Sequence, residues 1–206
     1  MIRRGDPNRR VVALTFDAGS DLGYTDAILD TLRASGIHAT FSLTGQWTTS
    51  NPIAARRIVA EGHQLMNHTQ DHLSFTGAST GKGPLTSGQR IAELQTANAT
   101  IASTTGIDTR PWFRPPYGDT DLSVQRDAAS AGYGYEVMWT LDSLGWNGLP
   151  ADQITARCLN AAQSGVIYLF HVGSASQDSA ALPAIITGLR SAGYDFVTIA
   201  QMVSGA

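Results

Sequence analysis

Short runs that are apolar on both faces recur along the chain. They are VVALTF (11–16), HATFSLTG (38–45), GYEVMWTL (134–141), GVIYLFHV (165–172) and DFVTIAQMV (195–203). They are rich in β-branched and aromatic residues and too short for buried helices, which suits strands of a parallel sheet covered on both sides. HQLMNHT (63–69) and PWFRPPY (111–117) are shorter candidates of the same kind. Between them the period changes to that of helices, over 25–36, 51–62, 86–106, 121–132, 150–165 and 179–193. Several of these stretches end in glycine, and the 51–62 stretch opens with Asn51 and Pro52, a cap followed by proline in the first turn. Strand alternating with helix predicts an α/β fold, a layered parallel sheet or barrel of about seven strands. Residues 11–206 form one domain behind a polar lead-in, 1–10, and GASTGKGP (77–84) reads as a flexible loop.

Composition narrows the function classes. The chain has 206 residues, 42% of them hydrophobic and 15% charged, which is enough to bury a core. A net charge of −3 without any basic run argues against a nucleic-acid partner. No stretch is long or apolar enough to span a bilayer. The single cysteine, Cys158, excludes an internal disulfide and leaves the compartment open. MIRRGDPNRR carries the charges that begin a signal peptide, but no apolar segment follows, so any signal or anchor is expected to lie outside this sequence. A monomer is expected.

In folds of this class, chemistry gathers at the carboxyl ends of the strands. Six polar residues fall there: Asp17 after the first run, His68 and His72 after the third, Arg114, Asp142 and His171 after the later ones. Singly, Asp17 is a turn cap, Arg114 a surface partner and His171 a satisfied core histidine. Together they predict a shared active site. His68 and His72 lie four apart, a spacing that puts both imidazoles on one side of a helical turn and within reach of one point.

The wording around these residues resembles the polysaccharide deacetylases of carbohydrate esterase family 4, the NodB-homology domain, from Val11 to Met202. Five family motifs have counterparts in order: TFDAG (15–19), HTQDH (68–72), RPPYG (114–118), DSLGW (142–146) and LFH (169–171). The segment 165–189 looks closest to the branch of peptidoglycan N-acetylmuramic acid deacetylases. The resemblance implies a distorted parallel (β/α) barrel. It also implies a divalent metal, most often zinc, on His68 and His72, with Asp17 as general base and Arg114 holding Asp17 ionised. The backbone N–H of Tyr117 would serve the oxyanion and His171 would be the general acid. Asp142 would belong to the catalytic set, and Leu169 and Trp146 would wall the acetyl pocket.

Two positions depart from the family pattern. The first motif usually reads Asp-Asp, the second Asp being a metal ligand, and here that position is Ala18. The fourth commonly ends Asp-Trp, whose Asp tunes the acid histidine, and here the pair is Gly145-Trp146. Three accounts of Ala18 stay open: the histidines and water hold the metal, Asp17 or Asp21 fills the gap, or the chain is a non-catalytic carbohydrate-binding relic. The leading expectation is a metal-dependent hydrolase that removes N-acetyl groups from a cell-wall polysaccharide, peptidoglycan favoured, outside the cell or on its wall. A chitin-oligosaccharide deacetylase or an acetylxylan esterase is the alternative within enzymes.

Overall fold

The run at 11–16 extends into β1 (Val11–Ala18), which sits at the middle of the sheet in a computed structural model that describes residues 1–205. On one side follow β2 (Thr40–Leu43), β3 (Gln64–Asn67), β4 (Trp112–Phe113) and β5 (Tyr135–Glu136). On the other side lie β7 (Ile167–His171) and then β6 (Leu141–Asp142). Every pair is parallel, and β8 (Asp195–Phe196) pairs with Val11 and Val12 at the start of β1. The sheet curls into a half-barrel, in line with the α/β architecture that the alternating pattern predicts and the distorted parallel barrel that the resemblance implies.

Alternation along β1 assigns its two faces. Val12, Leu14, Phe16 and Ala18 join the main core beneath the helices, with Tyr168 and Phe170 of β7 and Phe41 of β2. Phe16 lies 5.1 Å from Phe41 and 5.5 Å from Phe170, centroid to centroid, so three strands are tied by one row of stacked rings. Ala13 on the opposite face packs inside the curl with Met66, Val137 and Ile167, and Ile199 and Met202 plug that space. Thr15 and Asp17 share the inner face, so the inside of the curl turns from apolar to polar toward the carboxyl end of the strand.

The outer layer is α1 (Thr25–Ala34), α2 (Gly45–Ser50), α3 (Pro52–Ala60), α4 (Ser87–Thr105), α5 (Leu122–Ser130), α6 (Ala151–Asn160) and α7 (Asp178–Ser191), while α8 (Ile199–Ser204) closes the inside of the curl. α4 opens with a capping box between Thr86 and Gln89 and ends at Gly106, whose φ of 78° only glycine adopts cheaply. No helix among the described residues is long and apolar enough to cross a membrane.

Four expectations are corrected. The run 195–203 is not one strand, because Thr198 and Gln201 form a second capping box that turns the chain into α8. The run 134–141 is split, since 137–140 cross from the β5 edge to the β6 edge, with Val137 N–H donating to Phe113 and Thr140 N–H to Ile167. The strand expected over 38–45 stops at Leu43, and Thr44 caps α2 by accepting from Trp47 N–H at 3.0 Å. The loop 77–84 is tethered, because Asp119 accepts from the hydroxyls of Ser74 and Ser79 and from Ser79 N–H.

Candidate active site

Asp17 ends the inner face of β1 and is almost fully buried. Its counter-charge is Arg114, which follows β4 and is completely buried. Arg114 Nη1 donates to Asp17 Oδ1 at 2.7 Å, Nη2 to Thr15 Oγ1 at 2.9 Å and the Met138 carbonyl at 3.2 Å, and Nε to the Val137 carbonyl at 3.0 Å. The guanidinium is thus satisfied on several sides, the condition under which a buried ion pair holds. Burial pushes the Asp17 carboxyl up, but the Arg114 guanidinium, with His68 and His171 close by, holds the group below the ordinary carboxylate range. Asp17 is therefore a carboxylate at neutral pH.

His68 and His72 do come together, but not on a helical turn. They lie in a tight loop after β3 in which Thr69 and His72 take positive φ, 69° and 56°. The two rings are 4.8 Å apart between centroids. His68 Nδ1 is 2.9 Å from the Arg114 carbonyl; a carbonyl only accepts, so Nδ1 carries the proton and Nε2 keeps its lone pair. That lone pair lies 3.4 Å from Asp17 Oδ2. Burial lowers both imidazoles, His72 to about 3, and keeps them neutral. Neutral imidazoles, one of them oriented by a backbone carbonyl, are the chemistry of a transition-metal ligand pair.

The rest of the donor set is sparse. No group of three His, Cys, Asp or Glu side chains among the described residues is gathered as a ready cation site. Ala18 is fully buried in the core beneath the helices and brings no donor. Asp21 is turned toward the loop after β7, where it accepts from the N–H and hydroxyl of Ser174. The residues present fit a divalent cation held by two nitrogens, with Asp17 beside it.

Around this centre is a cavity of about 710 Å³. Asp17, His68, His72, Tyr117, Leu169 and His171 line it, with Trp146 and Asp142 at the same wall. Tyr117 has φ 61° and stacks edge-on against His72 at 4.8 Å. Backbone held in the left-handed region persists where packing over-determines it, often at working sites. Asp142 Oδ1 accepts from Leu144 N–H at 2.9 Å and Oδ2 from Trp146 Nε1 at 3.1 Å. Through these two bonds Asp142 fixes the loop that presents Trp146. Trp146 is half exposed, and its ring is 6.4 Å from His171.

His171 ends β7 directly beside Asp17, the two being register partners. Its N–H donates to Asp178 Oδ2 at 2.8 Å. Asp178, the first residue of α7, is fully buried, and burial pushes its carboxyl above the ordinary range. Sequence reasoning missed Asp178, because an acid opening a helix reads as a dipole partner. It also missed Trp139, which lines the cavity and lies under the Arg114 guanidinium at 5.6 Å.

The polysaccharide deacetylase family model matches residues 4–135. The chain belongs to the polysaccharide deacetylase family. This family member is 32% identical over 202 residues to a peptidoglycan-N-acetylglucosamine deacetylase of Bacillus cereus, covering 95% of this chain and 89% of that one. The structure of PdaA from Bacillus subtilis, a family 4 carbohydrate esterase, superposes with a TM-score of 0.88 at 29% identity, over 99% of this chain and 85% of that one. A family 4 pseudoenzyme from Bacillus anthracis superposes at 0.89 with 30% identity, over 98% of this chain and 68% of that one. A mutant of that pseudoenzyme with restored enzymatic activity superposes at 0.86. Relatives of both the N-acetylglucosamine and the N-acetylmuramic acid type are about equally similar, at 32% and 30% identity, so likeness alone does not single out the muramic acid branch.

Proposed function

We propose that this family member hydrolyses the N-acetyl group of a cell-wall amino sugar, peptidoglycan first among substrates, and works outside the cell or on its wall. The observation that carries the reading is one constellation: the Arg114-paired carboxylate of Asp17, with His68 Nε2 at 3.4 Å and His171 as its neighbour across the β1–β7 pair. His68 and His72 would hold a divalent cation, zinc being one that suits imidazole ligands, and the bound cation would polarise the acetamide carbonyl and the attacking water. Asp17, kept ionised by Arg114, accepts a proton from that water. The Tyr117 N–H donates to the oxygen that gains charge. His171 gives a proton to the departing amine, so water and an acetamide become acetate and a free amine. Leu169, Trp146 and Trp139 supply the apolar wall that receives the sugar and its methyl group.

The test is acetate release from peptidoglycan, chitin oligosaccharides and acetylxylan after chelator treatment, with and without added zinc or cobalt. Metal-dependent acetate from peptidoglycan is expected. One specific observation favours the second reading, a carbohydrate-binding relic: Ala18 offers no ligand, and a pseudoenzyme shares the fold. Glycan binding with no acetate from any substrate under any metal would establish that reading and overturn the first.

A further inference from the structure

His171 and Asp178 form a contact that ordinary helix capping does not explain. Gln177, not Asp178, occupies the cap position of α7 and makes no side-chain cap bond, and the Asp178 N–H is taken by Ser176 Oγ at 3.2 Å. The Asp178 carboxylate instead turns back to β7. Oδ2 accepts the His171 N–H at 2.8 Å and stands 4.0 Å from His171 Nδ1. Asp178 is fully buried, and neither its Oδ1 nor His171 Nδ1 has a hydrogen-bond partner. A buried ring nitrogen without a partner is costly, and the acid it faces is Asp178, whose Oδ2 stands 4.0 Å away.

Gly145 shows that the room for this carboxylate is kept open. A Cβ at position 145 would lie 2.4 Å from Asp178 Oδ1 and 2.6 Å from Ser176 Oγ, so any larger residue collides with the carboxylate. Gly145 precedes Trp146, whose ring is the other neighbour of the imidazole. The His171 ring therefore has an indole on one side and a buried acid at Nδ1, which leaves Nε2 as the nitrogen for the cavity.

We infer that Asp178 is the positioning residue of His171: its carboxylate selects the imidazole orientation with Nδ1–H toward α7 and gives the protonated ring a buried counter-charge. Contacts of this kind are often long before substrate binds and close in the working complex. The inference rests on His171 acting as the proton donor, as proposed above.

The experiment compares wild type with Asp178→Asn, Asp178→Ala and the exchange Asp178→Ala/Gly145→Asp, on the substrate that gives acetate. Asp178→Asn keeps an oxygen for the His171 N–H and removes only the charge. It should lower kcat by roughly 10–100-fold with KM within about twofold, as loss of an orienting partner typically does. In the exchange variant an acid at 145 re-enters the vacated space, and kcat should recover by about tenfold over Asp178→Ala. Nitrogen-15 spectra of the His171 ring should show the Nδ1–H tautomer dominant in wild type and depleted in Asp178→Ala, a readout that needs no turnover. An unchanged kcat in Asp178→Asn, a KM effect alone, or an unchanged tautomer would overturn the inference. If wild type releases no acetate, or His171→Ala is as active as wild type, the functional reading fails, and the tautomer spectra still decide the contact.

Discussion

Replacing Arg114 by methionine tests the electrostatic centre of the site. The variant keeps a long side chain but removes the guanidinium from Asp17, Thr15 and the carbonyls of Val137 and Met138. Breaking a buried ion pair from one side costs about 3–5 kcal/mol, since the remaining charge has no partner. A loss of about 4 kcal/mol lowers the Tm of a chain of this size by roughly 8–16 °C. Asp17→Asn added to the same variant removes the stranded charge, and at least about 1.5 kcal/mol should return as coupling energy. In wild type the carboxyl of Asp17 is lowered, so its pairing contributes stability above the ordinary value near 3.9 and loses it only as pH falls through the lower folded value. Without Arg114 the sign reverses: burial alone raises the carboxyl, the ionised group costs stability at neutral pH, and the deficit shrinks toward pH 4. Urea unfolding of wild type, Arg114→Met, Asp17→Asn and the double variant at pH 7.5 and about pH 4.5, with chelator present, measures both effects. Single changes that add within about 0.5 kcal/mol, with a deficit independent of pH, would refute the reasoning.

Three further outcomes are expected. With only two imidazole donors, dialysis against a chelator should abolish acetate release and added zinc should restore it, whereas His68→Ala and His72→Ala should stay inactive while still folding; retained metal in either variant would remove the ligand assignment. His63, lowered to about 4 by burial, accepts the Ala39 N–H at 3.1 Å through Nδ1. Its stability contribution is complete above the ordinary value of about 6.5 and is lost as pH falls toward 4, so His63→Asn, which keeps an acceptor, should spare about 1–3 kcal/mol of acid destabilisation in urea titrations across that window. Trp146→Ala should lower kcat/KM on the order of tenfold while changing stability by under about 1 kcal/mol, because the indole is half exposed; an unaltered kcat/KM would mean that the sugar does not use that wall.

The fold was legible where local pattern and burial agree. β1 and β7 lie between two layers, so their unbroken apolar runs declared them as strands, and the polar residues that end them declared the site. His68 and His72 were found for a partly mistaken reason, since backbone with positive φ, not a helical turn, brings them together. What stayed hidden depends on distant partners. α8 was obscured because the capping box of Thr198 and Gln201 sits inside an apolar run that also fits a strand. The tether of the 77–84 loop needs Asp119, some forty residues on. Asp178 lies seven residues past His171 across a loop, a separation that no period brings together. Ala18 was legible as a departure, and the structure adds that its methyl belongs to the core beneath the helices.

The lead-in joins the fold as well. Ile2 N–H donates to the Glu136 carbonyl at 2.7 Å, Met138 N–H donates to the Ile2 carbonyl at 2.8 Å, and Thr140 Oγ1 donates to the Arg3 carbonyl at 2.6 Å. Residues 137–140 are the strip that crosses between the two sheet edges, and the carbonyls of Val137 and Met138 face the Arg114 guanidinium. The first few residues therefore act as a stitch along a seam, and the seam's other side holds the arginine that keeps Asp17 charged. Any change that frees residues 2 and 3 from that strip would loosen the seam, and the damage would reach the ion pair between Arg114 and Asp17 on its far side.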